Sequence, residues 1–173
     1  RHYKGVPCLI EAFNMLPSSI AQHSHLIVVG EIWEEGEIIK KKVDDSPYKE
    51  RITIVPQYIP DVMIPKYFSA ADVIALPYLR ASGSGVAHIA LPYGKPIVLS
   101  DVPSLKEALG DYAGSMFVEP GNPQAIRDKI EAVYRDVLAG KELLYHSTHA
   151  TWDDIARQYE NIIGNLLSGG KTQ

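Results

Sequence analysis

Short apolar runs recur along the chain and are separated by stretches in which apolar and polar residues follow a helical period. The run that fills residues 25–30 is uninterrupted after its first residue and ends in glycine. Such a run is typical of a parallel strand that is buried on both faces. The predicted strands cover residues 25–30, 51–55, 72–77, 96–100 and 115–118.

The intervals between these strands carry apolar residues three or four positions apart, as on one face of a helix. In residues 6–16, for example, this face includes Leu9 and Phe13. Asp61 is a favourable N-cap, and we expect it to begin a helix. The predicted helices cover residues 6–16, 33–43, 61–70, 103–109, 122–138 and 151–167, with a short one after residues 82–85.

Strands that alternate with helices of this length predict parallel strands joined by right-handed crossovers. The fold class is therefore α/β, with a doubly wound parallel sheet of the Rossmann type. In such sheets, ligands bind outside the carboxyl ends of the strands. The loops in which we expect a site are residues 1–5, 30–34, 56–61, 77–85 and 100–104.

Composition and charge narrow the classes of protein. The chain has 173 residues, 46% hydrophobic and 22% charged, which is typical of one globular domain and excludes disorder. Lys and Arg number 17 against 21 Asp and Glu, a net charge of −4 without a basic run, so we expect no nucleic-acid partner. No apolar window reaches the roughly 18 residues of a membrane span. The single Cys8 excludes an internal disulfide and a Cys-based zinc cluster, and the histidines lack metal-site spacing. We expect a reduced, cytoplasmic domain.

The chain begins at Arg1, and its first residues have the pattern of a loop that leads into a helix, with no strand before it. A compact α/β sheet rarely begins inside a loop. We therefore expect the sequence to be part of a longer protein, with a strand and a further domain upstream.

The strongest local signal is A-S-G-S-G-V at residues 81–86, between a buried strand and a helix. Glycine lets the backbone approach a ligand closely, and the free N–H groups of a first helical turn attract anions, most often phosphate. The spacing matches neither the dinucleotide fingerprint nor the P-loop. The alternative is a tight turn that merely needs glycine. Pro92 removes a backbone donor, so we expect the following helix to be short or kinked.

Two further loops carry candidate residues. Arg1 and Lys4 precede the first helix, where two cations could hold a diphosphate; the alternative is a pair of solvated surface cations. Residues 57–61 connect a strand to a helix and could border a nucleotide base. The alternative there is a plain connection.

These motifs occur in an order that resembles a known family. They are R-x-Y-K-G, V-V-G, Y-I-P-D, Y-F-S-A-A-D-V-I-A-L-P-Y, S-G-S-G-V, G-K-P-I-V-L-S-D-V, L-K-E and F-V-E-P-G-N-P-Q-A-I, over residues 1–135. The combination resembles the C-terminal, donor-binding half of family-4 (group 1) glycosyltransferases of the GT-B fold. The segment T-W-D-D-I-A-R-Q-Y resembles the closing helix of the same family.

The resemblance implies a domain organisation and an activity. Residues 1–150 would form the Rossmann-like domain that binds a nucleotide sugar, residues 151–167 its closing helix and residues 168–173 a loose tail. The acceptor-binding N-terminal domain would lie outside this chain. The whole enzyme would transfer a hexose from a UDP- or GDP-linked donor to a hydroxyl of a glycan, lipid or small molecule. Such transfer usually retains anomeric configuration and needs no metal or other cofactor. Peripheral association with the membrane is also implied, and the isolated fragment is expected to be inactive.

The resemblance also assigns site residues. Arg1 and Lys4 match the basic pair that holds the donor diphosphate and acts in catalysis. The glycine loop that meets the same diphosphate is matched by Gly83, Ser84, Gly85 and Val86, and the loop beside the base by Tyr58 and Ile59.

The sequence departs from the family at two positions. Many members have glutamates where this chain has Ala81 and Ile89, and one of those glutamates grips the ribose. The loss of one charge-assisted hydrogen bond costs about 1.5–3 kcal/mol. Two alternatives therefore stay open: a non-catalytic or degenerate Rossmann-type module, and another GT-B enzyme such as an epimerase or a phosphorylase.

Overall fold

The computed structural model describes residues 1–145 and, beyond them, residues 156, 157, 159–161 and 163. The strands are β1 (Leu26–Val29), β2 (Ile52–Val55), β3 (Ile74–Leu76), β4 (Ile97–Ser100) and β5 (Ser115–Val118). The helices are α1 (Val6–Asn14), α2 (Ser18–Ala21), α3 (Gly36–Asp44), α4 (Ile64–Ala70), α5 (Gly85–Ala90), α6 (Pro103–Leu109) and α7 (Pro123–Leu138). Short 3₁₀ turns cover His2–Lys4, Lys49–Arg51, Asp61–Met63 and Leu91–Tyr93.

All pairs of strands are parallel, as the alternation of strands and helices predicts. β1 pairs with β2 from Leu26 opposite Ile52 onward, while β3, β4 and β5 form a second hydrogen-bonded group in that order. The single predicted sheet is thus divided into two groups within the described part of the chain.

The first residues of the chain lie between the two groups. The Leu79 amide, three residues after β3, donates to the Tyr3 carbonyl at 2.8 Å. On the other side, the His2 amide donates to the carboxylate of Glu34, in the loop after β1, at 2.9 Å. The turn His2–Lys4 therefore touches the loops that follow β1 and β3, at the carboxyl edge of both groups.

β4 shows that helices cover both faces of the sheet. Val98 packs with Leu9 and Ile126 of α1 and α7, while Ile97 and Leu99 face the opposite cluster. Side chains of a strand alternate between its faces, and every residue of β4 is buried. The doubly wound arrangement is therefore confirmed around this strand. The opposite cluster consists of Ile74, Leu76, Tyr78, Ala87, Ala90, Leu91, Ile97, Leu99, Val102, Leu105, Ala108, Leu109 and Tyr112.

The prediction that the first strand is buried on both faces is wrong. Along β1 exposure alternates, and Ile27 and Val29 are 49% and 36% exposed. The reason is tertiary: α1 and α3 cover one face of β1 and β2, and no described element covers the other. An apolar run sets the potential for burial, but only the neighbouring elements realise it.

Two predictions about helix ends have different outcomes. Asp61 is not an N-cap; it begins a 3₁₀ turn, and α4 starts at Ile64 with Pro65 in its first turn. Proline is accommodated there because the first N–H groups of a helix have no partner inside it. The helix that Pro92 was expected to shorten is indeed short, since α5 ends at Ala90 and a 3₁₀ turn follows.

The predicted closing helix at residues 151–167 and the tail at residues 168–173 lie outside the described residues, apart from the six helical positions named above. Within the described part of the chain, no helix has the length and apolar character needed to cross a membrane.

Gly5 lets the start of α1 pack against the chain after β3. Its φ is +67°, and a Cβ at this position would lie 1.9 Å from the Pro77 carbonyl oxygen. We expect Gly5→Ala to lower the free energy of unfolding by about 3 kcal/mol or more, because left-handed strain and overlap add up. The control is Gly140→Ala. Gly140 has a φ of +69°, but a Cβ there would meet no described residue within 4 Å. This change should lower the free energy of unfolding by only about 1–2 kcal/mol. Equal losses in urea unfolding would show that the close approach does not matter.

Tyr112 predicts a pH dependence of stability. Its hydroxyl donates to the Lys95 carbonyl at 2.8 Å. Burial, and secondarily Tyr145, raise the pKa of Tyr112 to about 12, whereas an unfolded tyrosine has a pKa of about 10. As pH rises from about 10 to about 12, the unfolded state releases this proton first, so stability falls. In urea unfolding over that range, Tyr112→Phe should lose less stability than the wild type. The exposed change Tyr58→Phe should behave like the wild type, and an identical pH slope for Tyr112→Phe would contradict the argument.

Candidate functional site

The glycine turn, residues 81–86, follows β3 and leads into α5. Gly83 and Gly85 are exposed, while Ser84 is buried and its Oγ accepts from the Ala87 amide at 3.2 Å. Neither glycine has a positive φ, and a Cβ on either would meet no atom of the described residues within 4 Å. The fold therefore does not require glycine at these positions. The open alternative, a tight turn that merely needs glycine, loses its physical basis.

Lys4 lies at this turn. Its Nζ donates to Tyr78 Oη at 2.7 Å and lies 3.9 Å from the centroid of the Tyr78 ring. Tyr78 Oη in turn lies 3.2 Å from Ser84 Oγ. Lys4 is half-buried, and no carboxylate among the described residues lies within 4 Å of its ammonium. Within the described part of the chain, a cation without a counter-ion thus lies beside the open glycine turn.

Arg1 has a different environment. Its guanidinium lies 4.6 Å from the centroid of the Trp33 ring, in the loop after β1. Two carboxylates lie close by, since Glu34 accepts from the His2 amide and Glu35 Oε1 lies 2.6 Å from His2 Nδ1. The hydrogen bond from the His2 amide holds the pKa of Glu34 below its usual range. These carboxylates reduce the positive potential around Arg1, so Lys4 is the better placed of the two predicted cations.

Tyr58 and Ile59 lie at the carboxyl end of β2, at the outer end of the same edge. Tyr58 is 66% exposed and Ile59 is half-buried. Among the described residues, no hydrogen bond or ring contact joins either one to the glycine turn. The structure therefore brings Lys4, Ser84 and the glycines together and leaves Tyr58 and Ile59 apart from them.

Sequence reasoning missed Tyr78. It was covered only by the predicted loop at residues 77–85, and its position directly after a buried strand was the available signal. The structure shows it 3% exposed, between Lys4 and Ser84. At the two departures from the family, Ala81 accepts from Ser104 Oγ through its carbonyl at 3.0 Å, and Ile89 is 39% exposed on α5. Neither adds a charge to the turn.

The described residues offer no metal site, and the two cavities lie away from the glycine turn. The described residues contain no group of three or more His, Cys, Asp or Glu that could hold a metal ion. A cavity of about 410 Å³ lies between α3 and β2, and one of about 270 Å³ lies beside Gly5, Cys8 and Gly121. The glycine turn lines neither of them and is open to solvent.

A family model identifies the family of this chain, and solved structures show its fold. Residues 1–136 match the family model described as Glycosyl transferases group 1. The chain is 23% identical over 168 residues to an uncharacterized glycosyltransferase of Methanocaldococcus jannaschii, covering 93% of this chain and 42% of that protein. It resembles the solved structure of sucrose-phosphate synthase from Thermosynechococcus elongatus, with a TM-score of 0.75, 23% identity, and coverage of 98% and 44% of the two chains. It also resembles Anabaena HepE in complex with UDP-glucose, with a TM-score of 0.68, 22% identity, and coverage of 80% and 37%.

These similarities confirm the predicted Rossmann-like α/β fold of one half of a GT-B glycosyltransferase. The chain spans less than half of the length of the curated relatives it matches.

Proposed function

Because the chain belongs to the group 1 glycosyl transferases, we propose that residues 1–150 bind the nucleoside diphosphate sugar from which a hexose is transferred. The observation that carries this proposal is the half-buried Lys4 ammonium, which has no counter-ion among the described residues and is joined through Tyr78 to an open glycine turn. A diphosphate supplies the missing negative charge. Its oxygens accept hydrogen bonds, and the ammonium and the backbone amides at the turn donate them.

The identity of the donor rests on similar proteins. HepE has been crystallised with UDP and with UDP-glucose, and those complexes support a UDP-linked hexose. A GDP-linked donor is the alternative, and calorimetric titration with both nucleotides distinguishes the two. Tyr58 and Ile59, exposed and half-buried after β2, are the residues we assign to the surroundings of the base.

In the proposed reaction, the bond between C1 of the sugar and the diphosphate oxygen breaks, and the diphosphate leaves with the electron pair. The acceptor hydroxyl oxygen forms the new bond to C1, with retention. Its proton passes to the leaving diphosphate or to a residue of the acceptor domain. Lys4 and the amides of Gly83–Val86 stabilise the charge on the leaving group, so no metal is needed. Arg1, whose guanidinium lies on the Trp33 ring, is the second proposed cation.

The rest of the enzyme is proposed from the topology. In the common doubly wound order, the first strand lies between the second and the fourth. The turn His2–Lys4 lies between the loops that follow β1 and β3. A parallel strand that leads into Arg1 would therefore fill the central place and join the two groups. The acceptor domain, which would receive a glycan, lipid or small molecule, precedes that strand in this proposal. Residues 1–173 alone then bind the donor without transfer, and the whole enzyme is cytoplasmic, with peripheral attachment to the membrane.

A second function is favoured by Ala81 and Ile89, which add no carboxylate for the ribose or the sugar. It is a module that binds a nucleotide without catalysing transfer. The longer protein, tested for release of UDP from UDP-glucose with a panel of acceptors, separates the two. Turnover supports the transferase, whereas tight binding without turnover supports the module.

Titration of residues 1–173 with UDP and GDP by calorimetry tests donor binding. We expect UDP to bind in the micromolar to millimolar range, and Lys4→Ala to weaken it about 10- to 150-fold, because a charge-assisted hydrogen bond is lost. Lys129→Ala removes an exposed lysine from α7 and should leave binding unchanged. The absence of heat with either nucleotide at millimolar concentration would reject the proposal.

Gly85→Ala tests whether glycine at this position serves the stability of the fold or the binding of UDP. Gly85 begins α5 and has open space in front of it, so alanine should leave the stability unchanged or raise it by about 0.5–1 kcal/mol. Binding of UDP should nevertheless fall about tenfold or more, because the methyl group occupies the path of the diphosphate.

The matched control for this change is Gly36→Ala. Gly36 likewise begins a helix, α3, and its Cβ would meet no atom closer than 3.7 Å. It should resemble Gly85→Ala in urea unfolding and the wild type in UDP binding. If Gly85→Ala bound UDP with full affinity, the diphosphate would not bind at the glycine turn.

A further inference from the structure

Tyr78 is packed through its ring and also forms hydrogen bonds through its hydroxyl. Its ring is 3% exposed and lies edge-on to Tyr3, with 6.1 Å between the ring centroids. Its hydroxyl reaches two polar side chains, Lys4 Nζ at 2.7 Å and Ser84 Oγ at 3.2 Å. A buried phenylalanine would pack in the same place without either of these bonds. The role of the hydroxyl therefore lies in its hydrogen bonds to Lys4 and Ser84.

The directions of these hydrogen bonds follow from the groups that form them. An ammonium can only donate, so Tyr78 Oη accepts from Lys4. Ser84 Oγ accepts from the Ala87 amide. The remaining bond, between Tyr78 Oη and Ser84 Oγ, could run in either direction by geometry alone.

The proton of the tyrosine decides the direction. Among the described residues, Ser84 Oγ is the one acceptor within reach of the Tyr78 hydroxyl. If Ser84 donated to Tyr78, the buried phenol proton would be left without a partner, at a cost of about 1–3 kcal/mol. Tyr78 therefore donates to Ser84. Ser84 Oγ then accepts two hydrogen bonds, from Tyr78 and from the Ala87 amide, and both of its lone pairs are used.

We propose that Tyr78 is a positioning residue, which orients the Ser84 hydroxyl as a hydrogen-bond donor to a phosphate oxygen and holds the Lys4 ammonium beside it. The proposal rests on the proposed function, because it assigns the ligand of the same turn. With its lone pairs occupied, Ser84 can only donate, and the ammonium can only donate as well. The pair is therefore matched to a ligand atom that only accepts, as the oxygens of an ionised diphosphate do.

The test compares Tyr78→Phe, Ser84→Ala and the double variant in calorimetric titrations with UDP. Tyr78→Phe keeps the ring and should weaken UDP binding about tenfold, which corresponds to one hydrogen bond to a charged group. Ser84→Ala should weaken binding by a similar factor. The double variant should bind UDP no more weakly than the single variant with the lower affinity, because both changes abolish the same hydrogen bond from Ser84 to the phosphate oxygen. Effects that multiply in the double variant would overturn the proposal.

Tyr112→Phe is the matched control. It also removes the hydroxyl of a buried tyrosine, one whose bond to Lys95 lies away from the glycine turn. We expect both tyrosine variants to lower the midpoint of urea unfolding, and only Tyr78→Phe to change the dissociation constant of UDP. If affinity followed the loss of stability in both variants, Tyr78 would have a structural role alone.

The outcomes also separate this inference from the proposed function. If the wild type does not bind UDP or GDP, the proposed function fails. If the wild type binds UDP and Tyr78→Phe binds it equally well, the proposed function stands and the role of Tyr78 is rejected.

Discussion

The chain before α1 packs directly on the chain after β3, and the arrangement of the site depends on this contact. The Leu79 amide donates to the Tyr3 carbonyl, and Gly5, which has no Cβ, lies against the Pro77 carbonyl. Backbone contacts of this kind leave little freedom of register. Lys4 is consequently held at Tyr78, and any side chain at position 5 would separate the cation from the glycine turn.

Lys4 and Arg1 differ in the charged groups that surround them. Glu34 and Glu35 lie near Arg1, because both bond to the neighbouring residue His2. Lys4 is half-buried between aromatic rings with no carboxylate in reach among the described residues. Partial burial of an unpaired ammonium is unfavourable in the free protein. In the proposed function, an arriving diphosphate would remove that penalty.

The buried core around β3 and β4 and the candidate site share residues. Tyr78 belongs to the cluster of buried side chains around β3 and β4, and Ser84 caps α5 with the same oxygen that faces Tyr78. A site held by core residues is more rigid than one carried by surface side chains alone. An added Cβ on Gly83 or Gly85 would meet none of the described residues within 4 Å, which leaves room for a ligand.

Periodicity determined the strands and most of the helices from the sequence alone, because both periods are local properties of the chain. The sequence also determined that a glycine turn follows a buried strand, and the parallel arrangement puts that turn at the same edge as Lys4. Only the tertiary structure decided that Arg1 packs on Trp33, that one face of β1 is exposed, and that Tyr78 joins Lys4 to Ser84. Lys4 and Tyr78 are 74 positions apart, and no local pattern encodes a contact over that distance. Such contacts depend on how the elements pack, and the packing is a property of the whole chain.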